Sequence, residues 1–380
     1  MAKVKQNIII LMIISSFGAN AQELVLGAQR IDNILQHLSN KNIAIVGNQT
    51  SMINQTHLVD TLLNLQQSIK KVFSPEHGFR GKKDAGAHIN DEIDKKTGLS
   101  IISLHGKNKK PTKELLKDID IIVFDIQDVG ARFYTYISTL HLVLEAASEE
   151  NIKVLVLDRP NPNGHYIDGP ILKKEYESFI GKHPIPIVHG MTIGEYAKMI
   201  IGGKGIDKKG DLVIIKMLNY NRQKIYNLPI KPSPNLPNKR SINLYPSLCL
   251  FERTTVSIGR GTDFPFQHFG APFIKSNYSF TPKSGDGSKY PKHENTRCFG
   301  KDLRFQKNIL NSLNIDWLIE CYNESPNKEE FFTLNFDKLA GTDKLRKQII
   351  AGLTSKDIKK SWQEGLTNFK DIREKYLIYK

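Results

Sequence analysis

The chain has 380 residues, and its 54 lysines and arginines against 39 aspartates and glutamates give a formal net charge of +15. Its three cysteines, Cys249, Cys298 and Cys321, exclude a disulfide framework and leave open one bridge between Cys298 and Cys321. The charge suits an anionic partner such as cell-wall polymer, acidic glycan or lipid headgroup, or else reflects a solvated lysine-rich surface. The chain lacks a module that combines aromatic and basic residues for nucleic-acid binding, so a nucleic-acid partner is not expected.

Residues 1–21 are predicted to be a cleaved signal peptide. Lys3 and Lys5 form its charged start, residues 8–14 are apolar, and residues 19–21 offer a small-residue cleavage site. The apolar stretch is too short to span a bilayer comfortably, so no stable membrane insertion is expected after cleavage. Cleavage removes two lysines and no acid, which lowers the charge to +13. We therefore expect an exported protein, periplasmic or secreted.

Apolar runs of strand length alternate with amphipathic segments through the first two thirds of the chain. Strands are predicted over residues 42–46, 69–73, 99–103, 120–125, 154–158 and 212–216, and helices over 58–65, 112–117, 134–149 and 192–201. This βαβ alternation predicts the α/β class, with a Rossmann-like parallel sheet covered on both faces. The pattern loosens after about residue 273 and ends in a predicted strand over 376–379. We predict a Rossmann-like domain over residues 22–268 and a smaller α+β C-terminal domain over 269–380.

Glu76 and His77 follow the second predicted strand in the segment FSPEHGFRG. Ser74-Pro75 ends this strand, because proline has no N–H to donate to the ladder. Open α/β sheets bind their ligands at this end of the strands, where a carboxyl group can be partly desolvated and kept protonated. Glu76 is therefore a candidate general acid. The alternative is that Glu76 caps the next helix or pairs with Arg80.

Polar side chains also follow three other predicted strands. Their carboxyl ends meet at one edge of a parallel sheet, so these side chains should share one site. They are Asn48 and Gln49 after the first strand, Asp125, Gln127, Asp128 and Arg132 at the fourth, and Asp158, Arg159 and Asn161 at the fifth. Asp125 and Asp128 could act as a functional partner of Glu76, as metal ligands, or as structural partners of Arg132.

Other segments carry weaker signals. Thr192 and Glu195 have capping-box spacing, which favours a structural role for Glu195, and His189 is interpreted as a core residue. Arg260 lies between two glycines and is a candidate clamp for a carboxylate or phosphate. The chain has no Walker loop, HExxH, GxSxG or paired CxxC motif, and its histidines lack zinc-ligand spacing. We predict no cofactor and no metal.

Six segments in order resemble the NamZ-type exo-β-N-acetylmuramidases, a family of glycoside hydrolases. They are SPEHGFRG, DIQDVGARFYTYISTL, DRPNPNG, PIPIVHGMTIGEYA, SPNLP and GRGTDFPFQHFGAP. The resemblance implies a Rossmann-like domain, a smaller C-terminal domain and a cleft between them. It also implies release of terminal N-acetylmuramic acid from the non-reducing end of peptidoglycan fragments, without nicotinamide or metal. The family's proposed catalytic glutamate corresponds to Glu76. The family often shows Glu-Gly-Thr-Asn where this chain has Glu252-Arg253-Thr254-Thr255.

Residues and resemblance together predict a mechanism. Glu76 would protonate the glycosidic oxygen, Asp125 or Asp128 would stabilise the oxocarbenium ion or activate water, and His77 would tune Glu76. The predicted substrate ligands are one arginine among Arg132, Arg159 and Arg260 for the lactyl carboxylate, Asn48, Gln49 or Asn161 for the acetamide and hydroxyls, and Tyr134. Two alternatives are a non-catalytic exported protein that binds muropeptides, and a metal-dependent phosphohydrolase that uses Asp125, Asp128 and Asp158.

Overall fold

The computed structural model describes residues 23–76, 78–80, 91–106, 108–203, 205–206, 210–224 and 226–379. Its strands are β1 (Ile43–Gly47), β2 (Met52–Ile53), β3 (Thr56–His57), β4 (Ile69–Ser74), β5 (Glu92–Ile93), β6 (Ser100–Ser103), β7 (Ile121–Asp125), β8 (Lys153–Leu157), β9 (Leu212–Ile215), β10 (His268–Ala271), β11 (Tyr278–Phe280) and β12 (Cys298–Asp302). Its α-helices are α1 (Ile31–Leu38), α2 (Leu58–Asn64), α3 (Lys113–Leu116), α4 (Tyr136–Glu149), α5 (Ile193–Gly202), α6 (Lys239–Leu248), α7 (Asp316–Glu324), α8 (Lys328–Phe331), α9 (Phe336–Ala340), α10 (Lys344–Ile350), α11 (Ser355–Lys360) and α12 (Gln363–Glu374).

Seven strands form one large sheet in the order β5-β6-β4-β1-β7-β8-β9. All neighbours are parallel except β5, which is antiparallel to β6 at the edge. The chain first builds from β1 toward β6 and then returns to build from β7 toward β9. The order therefore reverses between β1 and β7, as in Rossmann-type sheets. The predicted α/β class and parallel sheet are confirmed.

Both faces of this sheet are covered, which explains its continuous apolar strands. In β7, Ile122 and Phe124 belong to the core that includes α4 and α5. Ile121 and Val123 alternate with them and belong to the core that includes α1 and α2. The sheet is thus held between two layers of helices, and its polar loops emerge at the strand ends.

The C-terminal part is smaller and contains an antiparallel sheet in the order β10-β12-β11, together with helices α7 to α12. The predicted division after residue 268 stays a prediction, and this residue begins β10. The predicted strand over 376–379 is wrong, because these residues form turns and irregular backbone. The three cysteines are free and buried, so the possible bridge between Cys298 and Cys321 is absent. No helix within the described ranges has the length and apolar character to span a membrane.

Candidate active site

Glu76 lies just beyond β4, at the carboxyl edge of the large sheet. The chain turns sharply there: Gly78 has a φ of +78°, and its N–H donates to the carbonyl of Pro75 at 3.2 Å. The Glu76 side chain is half-buried, and the Thr135 hydroxyl donates to its Oε2 at 3.2 Å. Because Thr135 precedes the first residue of α4, this bond holds Glu76 against the start of that helix.

Glu76 lines a cavity of about 650 Å³, a volume typical of small-molecule sites. The lining comes from both parts of the chain. It comprises Glu76, residues 133–136, Ile180, Ser233, Asn235, Leu236, Tyr245, Cys249, Glu252, Arg253, Arg260, Phe266, residues 287–290 and Leu339. The cavity therefore lies between the edge of the sheet and the C-terminal part, as the resemblance implied.

Tyrosine rings form the buried side of this cavity. Tyr134 packs edge-on against Tyr136 with ring centroids 4.7 Å apart, and against Tyr245 at 5.8 Å. Burial raises the pKa of Tyr136, so its hydroxyl stays protonated at neutral pH. Asn48 donates to this hydroxyl at 3.0 Å, and the hydroxyl donates to the carbonyl of Pro232 at 3.3 Å. Asn48 thus fixes a cavity wall instead of lining the cavity.

A second carboxylate, Glu252, faces the same cavity as Glu76. Arg260 donates to Glu252 Oε1 from Nε at 2.9 Å and from Nη2 at 2.5 Å. Burial alone would lower the pKa of Arg260, but the charge of Glu252 outweighs it and raises that pKa. The Arg260 guanidinium also lies 5.3 Å from the ring centroid of Phe266. Arg260 therefore does line the site as predicted, but it holds a protein carboxylate there.

Asp125 does not reach the cavity. Its fully buried carboxylate accepts from Arg159 Nε at 2.5 Å and from Nη2 at 2.8 Å. Arg159 also donates to the carbonyl of Met52 at 3.2 Å and lines a separate cavity of about 330 Å³. The predicted roles of Asp125 in catalysis and of Arg159 in substrate binding are corrected, since the two side chains neutralise each other across the ends of β7 and β8.

Asp128 is also buried and absent from the cavity lining. Its Oδ2 accepts from the N–H of Gly130 at 2.7 Å, and burial raises the pKa of Asp128 to about 7. Asn161 donates to the carbonyl of Met191 at 2.9 Å and accepts from the N–H of Asn163 at 2.8 Å. The predicted roles of Asp128 and Asn161 are therefore corrected to those of residues that shape loops beside the site.

Arg132 and Gln49 are likewise engaged with backbone. Arg132 is fully buried and donates to carbonyls from three separate segments, at residues 170, 185 and 339–340. Gln49 donates to the carbonyls of residues 231 and 232. Neither lines the cavity, so their predicted contacts with substrate are corrected. Glu76, Tyr134 and Arg260 are the predicted residues that the structure brings together, and His77 lies outside the described residues.

Sequence reasoning missed several lining residues. Thr135 and Tyr136 lay at the start of a predicted helix, and Tyr245 lay outside every predicted element, in the segment that forms α6. Arg253 had one signal, since it replaces a glycine that the family often has. Tyr290 had none, because no pattern marks it as close to Glu76.

The comparisons with known proteins agree with this architecture. A model of the exo-β-N-acetylmuramidase NamZ N-terminal domain matches residues 43–240, and one of the C-terminal domain matches residues 243–379. The chain belongs to the NamZ family. The peptidoglycan β-N-acetylmuramidase NamZ of Bacillus subtilis (strain 168) is 40% identical over 92% of this chain and 90% of that protein.

Two solved structures share the fold. Both are DUF1343 family proteins from Bacteroides fragilis NCTC 9343. The first has a TM-score of 0.87 and 44% sequence identity, and the match covers 94% of this chain and 99% of the Bacteroides fragilis chain. The second has a TM-score of 0.82 and 28% identity, with the same coverage. The similarity to family and structures thus extends over both parts of the chain.

Proposed function

We propose that this protein is an exo-acting β-N-acetylmuramidase that releases terminal N-acetylmuramic acid from the non-reducing end of peptidoglycan fragments. The observation that carries the proposal is the cavity into which Glu76 and Glu252 both project, in a chain 40% identical to a peptidoglycan β-N-acetylmuramidase. Most glycoside hydrolases use a pair of carboxyl groups that flank the bond to be broken. Buried tyrosines close one side of the cavity, which favours cleavage at a chain end.

In this proposal Glu76 donates the proton to the glycosidic oxygen. It is half-buried and held by Thr135, so its carboxyl group has a fixed direction toward the cavity. Glu252 supplies the second carboxylate, which stabilises the oxocarbenium ion or activates water. Two hydrogen bonds from Arg260 to its Oε1 hold the Glu252 carboxylate in place.

The lactyl carboxylate of the substrate would be bound by Arg253. Arg132, Arg159 and Arg260 all bind acceptors of the protein itself, so they are not available to an incoming carboxylate. Arg253 is exposed and lines the cavity, and it forms no ion pair with any residue that the structure describes. A guanidinium can bind a carboxylate through two parallel hydrogen bonds.

Incubation of the purified protein with the disaccharide of N-acetylmuramic acid and N-acetylglucosamine tests the activity, with products identified by mass. Free monosaccharides are expected. Glu76→Gln should lower kcat by about 10²–10⁴-fold, the usual contribution of general acid–base catalysis, while the melting temperature stays unchanged. Glu329→Gln, an exposed glutamate outside the cavity, is the matched control. Near-native turnover by Glu76→Gln would refute its assignment as the acid.

The same assay separates the alternatives. A protein that only binds muropeptides would release no sugar. A metal-dependent phosphohydrolase would also release no sugar, because this disaccharide carries no phosphate, whereas the proposed enzyme releases sugar even in EDTA. No group of three or more His, Cys, Asp or Glu side chains placed to hold a metal ion is found within the described ranges.

We also propose that the protein acts outside the cytoplasm, in the periplasm or as a secreted enzyme. Support comes from the signal-like pattern of residues 1–21, which lie outside the described residues. Fractionation of cells that express the full chain, followed by N-terminal sequencing, would test export and cleavage before Gln22.

A further inference from the structure

A short loop of the C-terminal part, residues 284–293, stands at the mouth of the cavity and is called here the mouth loop. Its tip is a tight turn in which Gly285 and Ser288 exchange backbone hydrogen bonds of 3.2 and 3.0 Å. Residues 287–290 line the cavity. Tyr290 is 81% exposed although it is a large aromatic residue, and Lys289 Nζ lies 5.4 Å from its ring centroid.

The mouth loop is anchored at its tip. Asn235 donates to the carbonyl of Gly287 at 2.7 Å, and the Ser284 hydroxyl donates to the carbonyl of Lys289 at 2.7 Å. The first bond joins the loop to the segment that precedes α6. Tyr290 is therefore exposed although its loop is held by hydrogen bonds, and its backbone has a fixed position beside the cavity.

The base of the mouth loop is anchored to the segment that carries Glu252. Lys292 Nζ donates to the carbonyls of Phe251 at 3.1 Å and Val256 at 3.0 Å, and also to that of Thr254. His293 Nε2 lies 2.7 Å from the carbonyl of Thr255. These bonds fix the position of Tyr290 relative to Glu252. A sugar that contacts the Tyr290 ring is therefore also held at a fixed position relative to the Glu252 carboxylate.

The lining residues differ in depth. Tyr134 and Tyr136 are buried, Glu76 is half-buried, and Tyr290 is exposed. A sugar chain that enters with its end against the buried tyrosines would have its scissile bond near Glu76 and its next sugar at the mouth. We propose that Tyr290 forms an outer subsite that stacks on the leaving-group sugar, N-acetylglucosamine. This inference rests on the proposed function.

Stacking suits this position chemically. The face of a pyranose ring carries C–H groups, and an aromatic ring packs against them while the sugar hydroxyls stay in water. Such a contact needs no deep pocket, which fits an exposed ring. An aromatic contact of this kind is worth about a three- to tenfold change in affinity.

The test compares Tyr290→Ala with Phe305→Ala. Phe305 is 79% exposed, has a guanidinium 5.4 Å from its ring centroid, and is absent from the cavity lining, so it is a matched control. Tyr290→Ala should raise KM for the disaccharide about three- to tenfold. Inhibition by free N-acetylglucosamine should weaken by the same factor, while inhibition by free N-acetylmuramic acid should change less than twofold. Tyr290→Trp should keep wild-type values, and Phe305→Ala should too.

Two results would overturn the outer subsite. One is unchanged inhibition by N-acetylglucosamine in Tyr290→Ala, and the other is equal weakening for both monosaccharides. If the wild-type protein cleaves no disaccharide, the proposed function fails by itself. In that case, NMR-monitored titration of wild type and Tyr290→Ala with N-acetylglucosamine still decides whether the Tyr290 ring binds this sugar.

Discussion

Replacement of Arg132 by methionine should destabilise the protein without weakening substrate binding. The guanidinium donates to the carbonyls of Pro170 at 2.8 Å, Ile185 at 2.7 Å and Ala340 at 2.6 Å, and more weakly to that of Leu339 at 3.4 Å. Each buried acceptor left without a donor costs about 1–3 kcal/mol, so the three short bonds give about 3–9 kcal/mol. Removal of a desolvated charge offsets part of this, and we expect a loss of about 3–5 kcal/mol.

This loss converts into a shift in melting temperature. An unfolding entropy of about 2.1 cal/mol/K per residue amounts to roughly 0.7–0.8 kcal/mol/K for a chain of this length, so Tm should fall by about 4–7 °C. Calorimetry on wild type and Arg132→Met gives this shift, and kinetics on the disaccharide gives KM. Arg253→Met is the matched control, because this exposed arginine should leave Tm within about 1 °C. An unchanged Tm with a tenfold higher KM in Arg132→Met would refute the reasoning.

Two further predictions concern Arg253 and His183. Arg253→Met should raise KM about tenfold for substrates with a lactyl carboxylate and leave KM unchanged for matching glycosides that lack it; equal effects on both would contradict the assignment. Burial lowers the pKa of His183 to about 3, so the folded protein keeps it neutral at pH 5 while the unfolded chain protonates it below about pH 6.5. Neutral His183 therefore contributes fully to the free energy of unfolding above pH 6.5. This contribution decreases as the pH falls, and the loss is about 2 kcal/mol at pH 5. The difference in free energy of unfolding between wild type and His183→Gln, measured with urea, should therefore be about 2 kcal/mol smaller at pH 5 than at pH 7. The same difference at both pH values would contradict this prediction.

The central sheet could be predicted because its strands are buried on both faces and read as continuous apolar runs. All strands and helices predicted between residues 42 and 216 are present within two residues of their expected ends. The C-terminal strand prediction failed for the opposite reason. Tyr376 to Tyr379 resembles a strand in composition, but the backbone of residues 378 and 379 bonds to the side chains of Glu195 and Arg222 and not to a neighbouring strand.

The site could be predicted only as far as its location. Glu76 was found because strand, proline and glycine together mark a turn at the sheet edge. The same logic brought Asp125 and Arg159 to that edge, but it could not show that the two charges would bind each other. The carbonyls that hold Arg132 come from residues 38 to 208 positions away, which no local pattern records. Glu252 and Tyr290 reach the cavity through folding of distant segments.

Tyr379 connects the C-terminal segment to the large sheet. Its hydroxyl donates to Asp158 Oδ2 at 2.7 Å, directly after β8, and accepts from the N–H of Met217 at 2.8 Å. Nearby, Glu195 closes the start of α5 and also accepts from the N–H of Ile378 at 2.9 Å. Two buried carboxylates of the Rossmann-like part, Asp158 and Glu195, thus take hydrogen-bond donors from residues 378 and 379. We expect a fragment limited to residues 43–240 to leave Asp158 and Glu195 without these donors, and therefore to be less stable than the same residues within the longer chain.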